Sequence, residues 1–382
     1  MQLRYGINPH QEARAASVGD GGTPLRPLNG TPSYINLLDA LHGWQLVREA
    51  SRVLGRPAAA SFKHVSPAGA AVSGPVDAVA AEPYGLGDVG DLTSAYLRAR
   101  DADPRSSYGD FVAVSHPVDA ELADALGPVF SDGIVAPGYA PGTVAALSRK
   151  KKGRFVVFEA DATFVPPARE RREVFGVELT QDRDEAPISR DLLDPAGDAA
   201  PPDTAVRDLL LGLVVLRYTQ SNAVCYVRDG MTLGVGAGQQ SRVDCTRLAG
   251  GKTDIWWLRR HPAVRGLAFA PGVRPQDRLN WRIRYAEGGL TPDEERRLAE
   301  ALSGPVTGLT AADREEWARR LTGVAFASDG ALPFRDNVDH ARRHGVAYIA
   351  EPGGSIRSGE VADACREHGI ALVRTGLRLF HH

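Results

Sequence analysis

The sequence predicts a mixed α/β fold, and three observations lead there. Short apolar runs recur along the chain, and several are apolar throughout, as in strands covered on both faces. Helical patterns lie between those runs. Glycine and proline, 41 and 26 of 382 residues, punctuate the chain often enough for many short elements joined by turns.

Taken in order, the first helix is read over "INLLDALHGWQLVREASRVL", with Leu37, Leu38, Leu41, Trp44 and Val47 on one stripe. The strands are read at "AAASF", "DFVAVS", "GIVAPG" and "GRFVVFEA" in the first half. In the second half they fall at "AVCYVR", "MTLGVGA", "VAFAS", "VAYIAEP" and "IALVRTG". The late helices "DNVDHARRHG" and "SGEVADACREHG" each close on a glycine after a basic turn. The stretch 181–206 is polar and rich in Pro and Asp, so it marks a boundary between two halves, residues 1–190 and 191–382. A second polar zone, 272–320, reads as a helical insertion in the second half, with Thr291 and Thr310 as N-caps.

Bulk composition removes several classes. Charged residues make up 24% and nearly cancel, leaving a net charge of −2, which argues against nucleic-acid or membrane-surface binding through bulk charge. No apolar stretch approaches the roughly 18 residues of a spanning helix, and the start "MQLRYGINPHQ" is not a secretion signal. Three cysteines, Cys225, Cys245 and Cys365, form neither a disulfide framework nor a zinc spacing, so a reducing cytoplasm is the default. The H-x-E…P-C-x-x-C signature of zinc deaminases and the G-x-S-x-G elbow are both missing.

The chemistry-bearing stretches begin at "SFKHVSP", where an apolar strand ends on Lys63 and His64. Neighbours on a strand point to opposite faces. A turn at the strand end would let both face one cleft, where a nearby ammonium lowers the pKa of the imidazole and keeps it ready to accept a proton. The alternative is a surface lysine and a capped histidine. Thr219, Gln220, Ser221 and Asn222 precede a strand in "YTQSNAVCYV". They either bind a ligand or satisfy one another at a turn, and an amide such as Asn222 can donate to a developing oxyanion. The alternate glycines of "GVGAGQQSR" mark a close approach of ligand or backbone, and Arg242 could bind an anion. "AGGKTD" fails as a phosphate loop because Thr246 stands where glycine is required. The N-terminal arm, with Arg4, Tyr5, Asn8 and His10, is expected to fray if it serves no ligand. The tail "LRLFHH" reads either as a tag remnant or as a docked segment with Leu379 and Phe380 buried.

Together these stretches, with "LNGTPSYINLLDALHGWQLV", "SDGIVAPGY", "GAGQQSRVDCTRLAGGKTDIWWLRRHP" and "PFRDNVDHARRHGVAYIA", resemble the transformylase part of the bifunctional AICAR transformylase/IMP cyclohydrolase family. The resemblance runs over nearly the whole chain, in order. It implies a duplicated cytidine-deaminase-like α/β fold without zinc. The implied reaction moves a formyl group from 10-formyltetrahydrofolate to the 5-amino group of AICAR. His64 then resembles the proton-shuttling histidine, Lys63 its partner, and Asn222 the oxyanion donor. Arg4, Tyr5, Asn36, Gly109, Asp132, Lys151, Arg378 and Phe380 match positions around AICAR. Arg242, Val243, Pro333, Phe334 and Asn337 match positions near the folate. Thr219, Ser221, Asp329 and His381 match ligands of a structural potassium ion.

Three departures stand out. Ala331 replaces a bulkier aromatic, Tyr108 stands where the animal-type site has Phe, and Ala223 replaces a Ser. The resemblance further implies a homodimer with shared active sites. Because the family's cyclohydrolase domain is not in this sequence, it implies a stand-alone transformylase with a separate cyclohydrolase downstream. A formyltransferase on a related aminoimidazole nucleotide, or a non-catalytic nucleotide-binding homologue, are the alternatives.

Overall fold

The computed structural model describes residues 1–18, 22–195, 200–306 and 308–382. The expected linker 181–206 and the insertion 272–320 therefore each lie partly outside the described residues, at 196–199 and at 307.

The mixed α/β expectation holds. The first half contributes β1 (Leu25–Asn29), β2 (Ala58–Lys63), β3 (Ser66–Val72), β4 (Asp110–Val114), β5 (Ser131–Ala136) and β6 (Val156–Ala160). A separate hairpin follows, β7 (Arg169–Val174) and β8 (Val177–Asp182). The second half contributes β9 (Asp194–Pro195), β10 (Val224–Arg228), β11 (Met231–Gly236), β12 (Val324–Ser328), β13 (Val346–Glu351) and β14 (Ala371–Arg374). Apart from the hairpin, the strands form one 12-stranded sheet in the order β1-β6-β5-β4-β2-β3-β11-β10-β12-β13-β14-β9. Read outward from the β3–β11 seam, both halves run through the same sequence of antiparallel and parallel pairings.

The apolar strands are covered on both faces, as their composition requires. On one face lie the long helices Tyr34–Leu54 and Asp203–Arg217, packed with the sheet into one core. The other face carries the helices Asp91–Asp101, Ala120–Leu126, Arg242–Leu258 and Ser358–Glu367, among others. The close approach read from alternate glycines is a helix backbone. A Cβ added at Gly234 would lie 2.2 Å from the Ala249 carbonyl oxygen, and one at Gly69 would lie 2.2 Å from that of Ala99. The other face repeats this arrangement. A Cβ added at Gly43 would lie 2.9 Å from the Ala113 methyl, and one at Gly212 would lie 2.8 Å from that of Ala327.

Several expectations need correction. In the first helix, Leu37, Leu38 and Leu41 are only half-buried. Asn36, Asp39, Gly43, Leu46 and Glu49 are buried instead, because this helix lies between the sheet and a second helix and turns a polar face inward at its N-terminal end. Part of the polar stretch after residue 181 is packed: Ile188 and Leu193 join the core. The insertion forms helices Pro275–Glu287, Pro292–Ala301 and Ala311–Ala318 around a small core of its own, and Thr291 and Thr310 close capping boxes as expected. Strands β1, β3, β7, β8 and β9 were not among the predicted ones.

All three cysteines are buried and free, and burial pushes each thiol up, Cys245 to about 11 and Cys365 to about 12. Among the described residues no helix is long and apolar enough to cross a membrane.

Gly69→Ala is expected to destabilise the chain by about 1–3 kcal/mol, because the added methyl forces the Asp91–Asp101 helix off the sheet. A thermal melt checks this, and an unchanged Tm would show that the helix can yield.

Candidate functional site

The seam sets the site. Because β3 and β11 are antiparallel, with Met231 opposite Ala71, the start of β3 lies beside the end of β11. The turn that leads into β3 therefore meets the loops flanking β10 and β11.

That turn carries the Lys-His pair. Lys63 is the last residue of β2 and pairs with Ser66 across the hairpin. His64 and Val65 form the turn itself, both with left-handed backbones at φ 54° and 62°. The turn lifts His64 out of the strand register and exposes it, while Lys63 is half-buried and donates to the Tyr108 carbonyl. Ser66 Oγ accepts the Gln220 N–H at 3.4 Å, which ties the pair to the segment Thr219–Asn222.

On the first-half side, one network joins most of the residues matched to the nucleotide. Asn36 caps its own helix with Ser33 and donates to Asp132 Oδ2 at 3.3 Å. Lys151 reaches Asp132 Oδ1 at 2.5 Å and lies over the Phe130 ring at 5.0 Å. Phe130 stacks on Tyr108, with centroids 4.5 Å apart, and its carbonyl accepts the Gly109 N–H. The positive φ of Gly109, 77°, suits a residue without a side chain. The N-terminal arm is docked, not frayed as it would be if it served nothing. Its backbone bonds to Pro32 and Tyr34 hold Arg4 and Tyr5 at the start of the same helix, with Leu3 3% exposed.

The second-half side is built on a buried ion pair. Arg242 Nη1 bonds Asp329 Oδ1, while its Nη2 donates to Asn222 Oδ1 at 2.7 Å. Asp329 Oδ2 accepts from Ser221 Oγ at 2.6 Å and from the Ala223 N–H at 2.9 Å. The tail is docked here: Ser221 and His381 exchange hydrogen bonds at 2.9 and 3.0 Å, and Leu379 is buried. Phe380, expected to be buried, is 44% exposed, with Arg378 over its ring at 4.6 Å. Its ring meets polar side chains, with the Arg242 guanidinium at 6.0 Å and the His382 ring edge-on at 6.1 Å.

Other sequence readings shift at this point. Arg242 is not a free anion-binding side chain, since Asp329 already neutralises it. Asn222 Nδ2 donates to the carbonyls of Gln239 and Gln240, both at 3.0 Å, so both donors are engaged. Asn337 is fully buried and serves Thr246, Phe334 and Asp336, so it does not face a ligand. Val243 and Pro333 are half-exposed and Phe334 is exposed, which leaves them available on that side.

The potassium set is brought together in part. Ser221, Asp329 and His381 touch, but the Asp329 oxygens are filled by protein donors, and Thr219 Oγ1 donates to the Val215 carbonyl. Hydroxyls that donate their protons keep lone pairs, so Thr219 and Ser221 are compatible with a cation, whereas the Asp329 oxygens already accept from protein donors. Among the described residues, no group of three or more His, Cys, Asp or Glu is placed to hold a metal ion.

Sequence reasoning missed two residues on the first helix. Asp39 is 5% exposed and accepts the Val65 N–H at 2.7 Å. Burial, with the nearby carboxylates of Asp132 and Asp110, pushes its carboxyl up to about 7. His42 meets His381 edge-on at 5.0 Å, and burial, followed by His381, lowers it to about 4. The spacing of Asn36, Asp39 and His42, three residues apart, was the available signal.

A family model described as AICARFT/IMPCHase bienzyme matches residues 1–252. The chain is 33% identical over 384 residues to the bifunctional purine biosynthesis protein PurH of Roseobacter denitrificans. It is 32% identical to the proteins of the same name from Magnetococcus marinus and a Ruegeria species. All of this chain is covered in each case, and it spans 59% of the length of those relatives.

His42 is expected to make stability depend on pH. Its folded value lies below the ordinary 6.5, so its contribution is fully present above about pH 6.5 and is lost as pH falls toward 4. The loss is on the order of 2 to 3 kcal/mol. Melts across that range should show it, and His42→Phe should flatten the slope.

Proposed function

This chain belongs to the AICARFT/IMPCHase bienzyme family, and on that premise we propose that it transfers a formyl group from 10-formyltetrahydrofolate to the 5-amino group of AICAR. The observation that carries the reading is the Lys63–His64 turn, bonded through Ser66 to the Asn222 segment and standing beside the Asn36–Asp132–Lys151 network.

In this reading the amine nitrogen bonds the formyl carbon, and the bond from that carbon to the folate nitrogen breaks. The amine is a weak nucleophile because its lone pair is drawn into the ring, so positioning and proton removal supply much of the rate. The exposed imidazole of His64 takes the proton from the amine and passes it to the departing folate nitrogen, so that tetrahydrofolate leaves neutral at that nitrogen, and Lys63 sets a positive charge beside it. Asn222 serves the oxyanion by giving up one of its two carbonyl partners to the substrate. Lys151 suits the nucleotide phosphate, as do Arg4 and Arg378, and Asn36 and Asp132 suit hydroxyl or amide groups. Val243, Pro333 and Phe334 are the residues left to contact the folate. A potassium ion would be held by lone pairs of the Thr219 and Ser221 hydroxyls, whose protons go to the Val215 carbonyl and to Asp329.

The same proposal covers architecture and assembly. Each half, residues 1–190 and 191–382, is read as a cytidine-deaminase-like unit. The mirrored pairing order and the matched glycine contacts support that. A homodimer with shared sites accounts for the aromatic surface around the site, where Tyr108, Phe130, Phe334 and Phe380 are each 42–49% exposed.

The test is a spectrophotometric assay of tetrahydrofolate formed from AICAR and 10-formyltetrahydrofolate. Turnover is expected, and ligand binding without turnover would leave only a nucleotide-binding homologue. His64→Ala should abolish turnover while AICAR still binds. Wild-type rates in that variant would remove His64 as the base.

A further inference from the structure

Two consecutive residues other than glycine, His64 and Val65, hold left-handed backbones. For a β-branched residue such as Val65 this conformation is rare, and it persists only where the surroundings force it. The hairpin supplies part of that force through the Lys63–Ser66 pairing. The rest comes from outside the hairpin. Asp39 Oδ1 accepts the Val65 N–H at 2.7 Å. Asp39 stands on the helix Tyr34–Leu54, one turn beyond Asn36, so a single rigid element contacts both the Asp132–Lys151 network and the turn.

The site keeps this carboxylate at a cost. Asp39 is 5% exposed, and Asp132 and Asp110 act on it with like charge. Its two carboxylate neighbours are each answered by a cation, Asp132 by Lys151 and Asp110 by Arg100, whereas Asp39 is held by the Val65 amide. A helix that needed only packing at this position would be served by an apolar side chain.

We infer that Asp39 is a positioning residue for the proton-transfer step: its buried carboxyl oxygen holds the His64–Val65 turn by the Val65 amide and so aims the imidazole at the amine of a nucleotide that Asn36 contacts from the same helix. The inference rests on the formyl-transfer reading above. It adds to that reading an acceptor that touches neither substrate.

The test compares kcat and KM for AICAR in Asp39→Ala, Asp39→Leu, Asp39→Asn and, as a control, His64→Ala. Removing the acceptor with Ala or Leu should lower kcat by about 10²-fold with little change in KM, the effect of a misaimed base on a bound substrate. Asp39→Asn keeps a carbonyl oxygen in place and should recover most of kcat. If kcat survives in the Ala and Leu variants, or if Asn fails to rescue, the inference is overturned. It is also overturned if Ala and Leu both fail to fold while Asn folds, since Asp39 would then be purely structural. Activity persisting in His64→Ala would instead sink the underlying reading of the turn.

Discussion

The antiparallel seam between β3 and β11 is the constraint on which the rest depends. It consists of few direct strand contacts: Met231 opposite Ala71, the Val72 N–H to the Gly230 carbonyl, and the Thr232 hydroxyl to the backbone of Ala70. Its direction decides what meets what. Had the edges joined in parallel, the turn after Lys63 would face the Arg228–Met231 hairpin at the opposite end of the sheet. Joined antiparallel, the seam brings His64, Asn222 and the docked tail to one end. The two long helices then pack on each other across it, with Arg217 of one bonded to Glu49 of the other, so the seam is braced from one side by buried charge as well as by apolar contact.

Charge within the site follows one rule, that no buried carboxylate stands without donors. Asp329 has Arg242 and Asp110 has Arg100, and Asp132, though only partly buried, has Lys151. These pairs come from different elements, so each fixes the separation of two segments as well as neutralising a charge. Arg242 shows how far that goes. It joins the helix that follows β11 to the end of β12, and through Asn222 to the loop before β10.

Much of the fold was legible. Apolar runs such as "VAFAS" and "DFVAVS" are strands because both faces are covered, and Thr291 and Thr310 cap helices through reciprocal bonds visible in their local sequence. The failures have physical causes. Strand β3, "SPAGAAV", is small-residue sequence with a proline, and its identity as a strand depends on a helix backbone packed against Gly69. The hairpin β7–β8 is exposed at every position but Glu170 and highly charged, so no burial pattern marks it. In the site, Lys63 and His64 could be singled out because an apolar strand ends on them. For Asp39 the only signal was its three-residue spacing from Asn36 and His42, since a carboxylate within a helix otherwise reads as a surface residue until the turn that needs it is known. The engagement of Arg242 by Asp329 and the burial of Asn337 depend on partners many residues away, and local sequence carries no trace of either.

The buried cysteines have a practical consequence. Thiolates are the form that alkylating reagents attack, and burial keeps Cys225, Cys245 and Cys365 in the neutral thiol form. Each also sits in a different part of the sheet: Cys225 within β10, Cys245 on a helix over β11, and Cys365 on a helix near the β14 edge. Modification rates at the three positions, resolved by mass, would therefore act as three native clocks for local opening, without any label having to be engineered into the chain.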